Sequence, residues 1–227
     1  MAPRGKIGRR AVVDAALAVA DREGLHAVTI RGVAAAVGVA PMSLYTHFEK
    51  KEQLFDLMFE RLVDEIFASP DGMTWQEGLE SGARLARATL LAHPHWITLA
   101  TRSAVPPSSL RPFERELKLM RKDGLSTDTA MRAISSAMAF TLGFVLVERF
   151  MSAHSKTSVP VRHLEAVRAL LPTFDRGMFT QITTASALFP RWSFDDVFDA
   201  GLRSLITGIE HDGARRRGPP SAAPPAH

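Results

Sequence analysis

Apolar residues recur at spacings of three and four along most of the chain, and the breaks between these runs fall at glycine and proline. Ala11 to Ala20 keep that period up to Gly24, which predicts a first helix. Ile30, Val33, Ala34 and Val37 share one face of a second, opened by Thr29 as N-cap and closed by Gly38. A glycine there supplies the left-handed backbone of a tight corner, and a side chain is expected to crowd the turn. Val39 anchors that corner. Pro41 suits the first turn of a third helix, with Leu44 and Phe48 facing inward. Residues 29 to 51 therefore read as a helix-turn-helix.

Beyond Lys51 the period continues through Leu54, Phe55, Met58, Leu62, Ile66 and Phe67, then stops at Ser69-Pro70-Asp71-Gly72. Thr74 with Glu77 forms a capping box for the next helix. His93-Pro94, Val105-Pro106-Pro107 and Lys122-Asp123-Gly124 mark three corners, and the longest helix is expected from about Thr127 to Met151. Ser155 to Arg191 is poorly periodic and reads as loop around one short helix near Arg162 to Leu171. Ser193 and Asp196 cap a final helix, with Trp192 and Val197 as its hydrophobic staple, ending near Gly213.

No strand pattern or internal repeat appears, so the expected class is all-α. The organisation expected is a helix-turn-helix domain with a basic arm over 1–50, a connecting helix and loop over 51–72 and a larger helical body over 73–213. The tail, 214–227, is rich in arginine, proline and alanine and is expected to be disordered.

Composition narrows the function. A chain of 227 residues with 46% hydrophobic residues can bury a sizeable core in two parts. The absence of cysteine excludes disulfides and thiol chemistry and fits a cytoplasmic protein. Basic residues before Ala11-Val12-Val13 resemble a signal peptide, but Asp14 interrupts the run and the helical spacing favours a structural helix. The longest uncharged apolar stretch, Ala133 to Val147, is shorter than the roughly 20 residues needed to cross a bilayer, so no membrane span is expected. Residues 1–51 carry 8 Lys and Arg against 4 Asp and Glu, the whole excess of the chain's 28 basic over 24 acidic residues. Arg4, Lys6, Arg9 and Arg10 concentrate it in the arm, as a polyanion-binding end requires.

Within the helix-turn-helix, Met42, Ser43, Tyr45, Thr46 and His47 point partly outward and carry little charge. Such a surface suits base edges and phosphate oxygens in a major groove, with Lys50 and Lys51 placed to neutralise phosphate. Spacing alone also allows a plain helical hairpin with Tyr45 and His47 as ordinary surface residues; the charge distribution favours the DNA reading. The run Leu44-Tyr45-Thr46-His47-Phe48, with Lys51 three residues on and Gly38-Val39 upstream, resembles the TetR family of bacterial transcriptional regulators. The similarity extends to the tetracycline repressor subgroup through Thr74-Trp75-Gln76, Gly124-Leu125-Ser126, Ala133-Ile134-Ser135 and Phe140-Thr141-Leu142-Gly143, and fades after about residue 155.

The resemblance implies roles at matching positions. Tyr45, His47, Lys51 and Thr29 correspond to phosphate contacts, Pro41, Met42 and Ser43 to the part facing bases, and Arg31 to a base-reading arginine suited to guanine. Thr46 completes the candidate DNA-binding set. Ala40 departs from the pattern, standing where a polar residue is common, so the recognition helix lacks a side-chain N-cap. The resemblance also implies a homodimer through the long helix near 127–151 and the final helix near 194–212, with a near-palindromic operator. Ala133, Ala137 and Thr141 form a small-residue stripe expected to admit the partner helix, although such a stripe can equally pack inside one subunit.

The tetracycline repressor grips its drug and magnesium with a histidine and polar partners. The matching positions here are Thr98, Gly82, Phe67 and Val147, which lack those groups. A more apolar effector is expected, held among Phe67, Leu85, Arg102, Phe113, Leu117, Ile134 and Met138, most of which equally suit plain core. Arg102 and Glu148 are the polar exceptions. His93 and His95 flank a proline with no carboxylate or cysteine nearby, a weak metal set, and no catalytic motif is present, so neither metal, cofactor nor enzyme activity is expected. Two functional classes remain: a ligand-responsive dimeric repressor, and a non-switching DNA-binding dimer. An all-α enzyme with an incidental helix-turn-helix ranks below both.

Overall fold

The computed structural model describes residues 7–67, 72–100, 106–153, 170, 180–185 and 193–217. Its helices are α1 Arg9–Glu23, α2 Ile30–Val37, α3 Pro41–Leu44, α4 Lys51–Ile66, α5 Trp75–Ala92, α6 Ile97–Ala100, α7 Leu110–Lys122, α8 Thr127–Ala153, α9 Thr180–Ala185 and α10 Phe194–Arg217. Short 3-10 turns lie at Leu25–Ala27, Pro94–Trp96 and Pro107–Ser109. The protein is all-α. It divides into two compact units, 1–123 and 124–227.

In the first unit, the run that resembled a signal peptide is core: α1 buries Val12, Val13, Ala16, Leu17, Val19 and Ala20 and packs on α2 and α4. Leu44, Leu54, Met58 and Leu62 are fully buried and tie the head to the connecting helix. Local caps set the helix starts. Thr29 Oγ1 accepts the Gly32 N–H at 3.0 Å. The Thr74 N–H donates to Glu77 Oε2 at 2.8 Å, and the Glu77 N–H returns a bond to Thr74 Oγ1 at 3.3 Å. The Thr74 N–H and the Thr74 hydroxyl, which donates to the same Oε2 at 3.0 Å, favour the carboxylate and hold the Glu77 pKa below its ordinary value. The Trp75 N–H reaches Asp123 Oδ2 at 3.0 Å, joining the start of α5 to the end of α7.

Two local expectations need correction. Gly38 is left-handed with φ 71°, but a Cβ added there meets nothing within 4 Å. Backbone conformation, not crowding, demands the glycine. The third helix is also shorter than its apolar pattern suggested. It ends at Leu44, and Tyr45 and His47 donate to Met42 and Leu44 carbonyls three residues back. Ala40 offers no side-chain cap, and Thr46 Oγ1 donates to the Ser43 carbonyl at 2.8 Å. A side chain competing for the backbone in a single-turn helix favours the tighter turn. Phe48 still points inward, 4% exposed.

The second unit is organised by α8 and α10, which pack together. Phe140 stacks on Phe198 at 5.3 Å, and Phe144 meets Phe198 edge-on at 5.1 Å. Phe194 lies edge-on to Phe144 at 6.2 Å. Such pairs add about 0.5–1.5 kcal/mol each beyond area burial. Ser193 and Asp196 form the expected cap, with the Asp196 N–H donating to Ser193 Oγ at 3.1 Å. α10 continues to Arg217, beyond the expected end at Gly213. Trp192 and all but one residue of the short helix expected at 162–171 lie outside the described residues, as do 218–227. Thr180–Ala185 is helical in a stretch read as loop.

The small-residue stripe is not free for a partner. Ala133, Ala137 and Thr141 are 0%, 5% and 2% exposed in the single chain. The apolar positions that α8 leaves outside are Met131, Met138, Leu146, Val147 and Phe150, between 48% and 70% exposed. Periodicity could place a stripe on a face; which neighbour covers it is a long-range outcome. By length and composition α8 would also pass as a membrane-crossing helix over Thr127–Ser152, and only 33% of its most apolar window is buried. It is longer than the uncharged run from Ala133 to Val147 suggested.

Candidate nucleic-acid interface and effector site

The head presents its candidate residues on one continuous segment. Arg31 is exposed in the first turn of α2, just after the capping Thr29. Pro41, Met42, Ser43, Tyr45 and Thr46 are exposed, with Met42 at 75% and Tyr45 at 45%. Tyr45 keeps its ring against Phe48, tilted with centroids 6.4 Å apart, which limits the conformations of its hydroxyl. His47 is half-buried. The Thr29 and Thr46 hydroxyls already serve local bonds, which leaves each with only part of its hydrogen-bonding capacity.

Lys51 is the residue whose setting the sequence concealed. Its ammonium lies 5.1 Å above the Phe55 ring, while Lys50, the N-cap of α4, is exposed. Residues four apart on a helix face each other, which is the signal for this pair. Arg9 and Arg10 are exposed on α1, with Arg10 3.9 Å from Asp14. Arg4 and Lys6 lie outside the described residues.

The candidate effector residues are only partly brought together. Phe67 and Phe113 are in contact, tilted by 57° with centroids 4.8 Å apart, and Arg115 donates to the Phe67 carbonyl. This fastens the end of α4 to α7. Leu85 and Leu117 are half-buried. Ile134 is buried, whereas Met138 lies on the exposed face of α8. Arg102 lies outside the described residues. Of the positions matching the tetracycline-gripping groups, Thr98 is exposed, Gly82 half-buried and Val147 55% exposed.

Glu116 was missed by the sequence reading. It is 5% exposed, its Oε2 lies 3.2 Å from where a Cβ on Gly78 would sit, and Arg115 approaches Oε1 at 3.8 Å. Burial raises its pKa above the usual carboxyl value, against the opposing pull of Arg115. The signal was available: Glu116 falls on the apolar face of α7 between Phe113 and Met120. A groove of about 470 Å³ runs along α7, lined by Pro107, Leu110, Arg111, Glu114, Arg115 and Lys118. It includes none of the expected effector residues.

A helical head with a glycine-cornered helix pair and an exposed polar recognition segment, carried on a larger helical body, defines a helix-turn-helix DNA-binding regulator. Comparison with known proteins makes this specific. Residues 12–58 match the family described as bacterial regulatory proteins, tetR family, and 68–212 match the tetracyclin repressor-like C-terminal domain. The chain belongs to the TetR family of transcriptional regulators.

Among its relatives, the transcriptional repressor DrrR1 of Streptomyces coeruleorubidus is 29% identical over 214 residues, covering 91% of this chain and 78% of that one. The class C tetracycline repressor of Escherichia coli is 27% identical over 210 residues, covering 90% and 91%. The fold is that of apo ActR from Streptomyces coelicolor, with a TM-score of 0.74 at 23% identity over 95% of this chain and 99% of that one. ActR has also been solved with actinorhodin, with a TM-score of 0.74, 23% identity and coverage of 94% and 98%.

Proposed function

We propose that this chain is a cytoplasmic, dimeric repressor that binds a near-palindromic operator and is released by a small, largely apolar molecule other than magnesium-tetracycline. The observation that carries the DNA side is the exposure of Arg31, Met42 and Tyr45 around the left-handed corner at Gly38. Arg31 reads guanine, Pro41, Met42 and Ser43 face bases, and Thr29, Tyr45, Thr46, His47 and Lys51 hold the backbone. The head over 1–50 reads DNA, 51–72 connects, 73–213 binds effector and partner, and 214–227 is a tail.

The exposed apolar face of α8 supports dimerisation: Met131, Met138, Leu146, Val147 and Phe150 need cover. This replaces the Ala133 stripe as the contact, with α10 alongside. Thr98, Gly82, Phe67 and Val147 argue against a magnesium-bound drug, and the aromatic pair Phe67–Phe113 supports an apolar one. The small-molecule complex of ActR supports an effector for this chain also. Leu85, Arg102, Leu117 and Ile134 complete the proposed effector-binding set, and release follows when the effector favours a head orientation that no longer fits two successive grooves.

Selection of bound sequences from a random DNA pool, with affinity measured across salt, tests the reading. A near-palindromic winner bound far above bulk DNA is expected, losing affinity steeply as salt rises. Uniform weak binding overturns it.

A further inference from the structure

The corner that closes α5 is joined to the head by side chains outside the proposed DNA-binding set. His93 Nδ1 lies 2.9 Å from Asp21 Oδ2, linking the C-cap of α5 to the last turn of α1 across 72 residues. The imidazole stacks on Trp96, 4.0 Å away and within 16° of parallel. The turn that carries Trp96 packs against α1, α5 and α6. Two polar atoms of the cluster have no hydrogen-bond partner: Asp21 Oδ1 and Trp96 Nε1, an acceptor and a donor, both buried.

Buried polar atoms are seldom left unpaired without a reason. Here one acceptor and one donor remain unused among the partners of a single imidazole. The contact is held by one directional bond, and its neighbours retain the capacity to form another. A joint that takes a second arrangement needs such spare capacity. α1 in turn packs on α2 and α4, so the placement of its C-terminal end bears on the whole helix-turn-helix.

We propose that Asp21 and His93 are positioning residues for DNA binding, and that their bond transmits the state of the α5–α6 corner to the head through α1, separately from the covalent connection through α4. The inference rests on the regulator reading above. Breaking the bond widens the range of head orientations, so fewer molecules present the groove-spacing geometry at any moment and operator affinity falls.

The test uses the full chain, Asp21→Asn, His93→Gln and the double variant, with the best duplex recovered from the random pool as probe. Each single variant is expected to weaken binding by about fivefold or more, with the double no weaker than the worse single. Unchanged affinity in both singles, or additive losses in the double, overturns the proposal. Failure to recover any preferred duplex counts against the regulator reading instead. Amide hydrogen exchange then tests the joint by itself: faster exchange in α1 and α2 in both singles at unchanged Tm supports it, and unchanged exchange overturns it.

Discussion

Gly201 and Phe140 occupy adjoining space that no larger residue permits: a Cβ on Gly201 would lie 2.7 Å from Phe140 Cζ and 2.8 Å from Cε2. The ring cannot simply swing away, because it stacks on Phe198 and lies 5.8 Å from the Phe144 ring. Gly201→Ala is expected to destabilise the protein by about 1–3 kcal/mol despite the better helix propensity of alanine. Thermal unfolding checks this, and an unchanged or higher Tm refutes the close approach.

Arg31 and Tyr45 are exposed and contribute little to the core. Arg31→Ala is expected to weaken binding to the selected duplex by about 1–3 kcal/mol and to relax specificity at one base pair. Tyr45→Ala weakens it across sequences. Both leave the unfolding free energy within about 0.5 kcal/mol of the parent. Normal binding by both variants would remove them from the interface.

Lys51 places its ammonium over the Phe55 ring, and the proposed interface asks the same group to meet phosphate. Lys51→Ala should reduce the salt slope of DNA affinity by about one. It should also cost up to about 1 kcal/mol of stability through the lost cation–π contact. An unchanged slope would mean that the ammonium stays on the ring in the complex.

Glu116 gives a pH dependence of stated sign. Its folded-state pKa lies above the unfolded value because burial disfavours the charge. Stability from its protonated form is therefore complete below the unfolded pKa and is lost as pH rises through the folded pKa. Glu116→Gln should raise Tm at neutral and alkaline pH and leave it little changed in acid. A variant that lowers Tm at every pH would show instead that Arg115 and Gly78 require the carboxylate.

Phe150 is the most exposed large apolar residue of α8, at 70%. Phe150→Asp should shift the protein toward monomer in sedimentation, because a charge placed in a covered apolar contact is costly to desolvate. Affinity for a two-half-site duplex should then approach that for one half-site. A variant that remains dimeric would move the interface off this face.

Most of what the sequence disclosed lies within four residues of itself. Thr29, Thr74 with Glu77 and Ser193 with Asp196 each bond to the helix they start, so their caps were legible without knowing any other element. Gly38 was legible as a corner, though for its positive φ and not for lack of room. The recognition segment's exposed residues were legible because Leu44 and Phe48 mark the opposite face. Its true length was not, since the Thr46 hydroxyl bond to the Ser43 carbonyl tightens the backbone in a way that apolar spacing does not register.

The sequence by itself determined the all-α class, the helix-turn-helix and its basic setting, because short-range periodicity, caps and charge act along the chain. Tertiary structure alone decided that Ala133, Ala137 and Thr141 are covered within one chain while Met138 is left outside. It alone joined Phe67 to Phe113 and Asp21 to His93. These outcomes depend on which distant surface arrives at each face. A helix of period 3.6 specifies that it has an apolar side, and the competition among all such sides for the same core selects the neighbour.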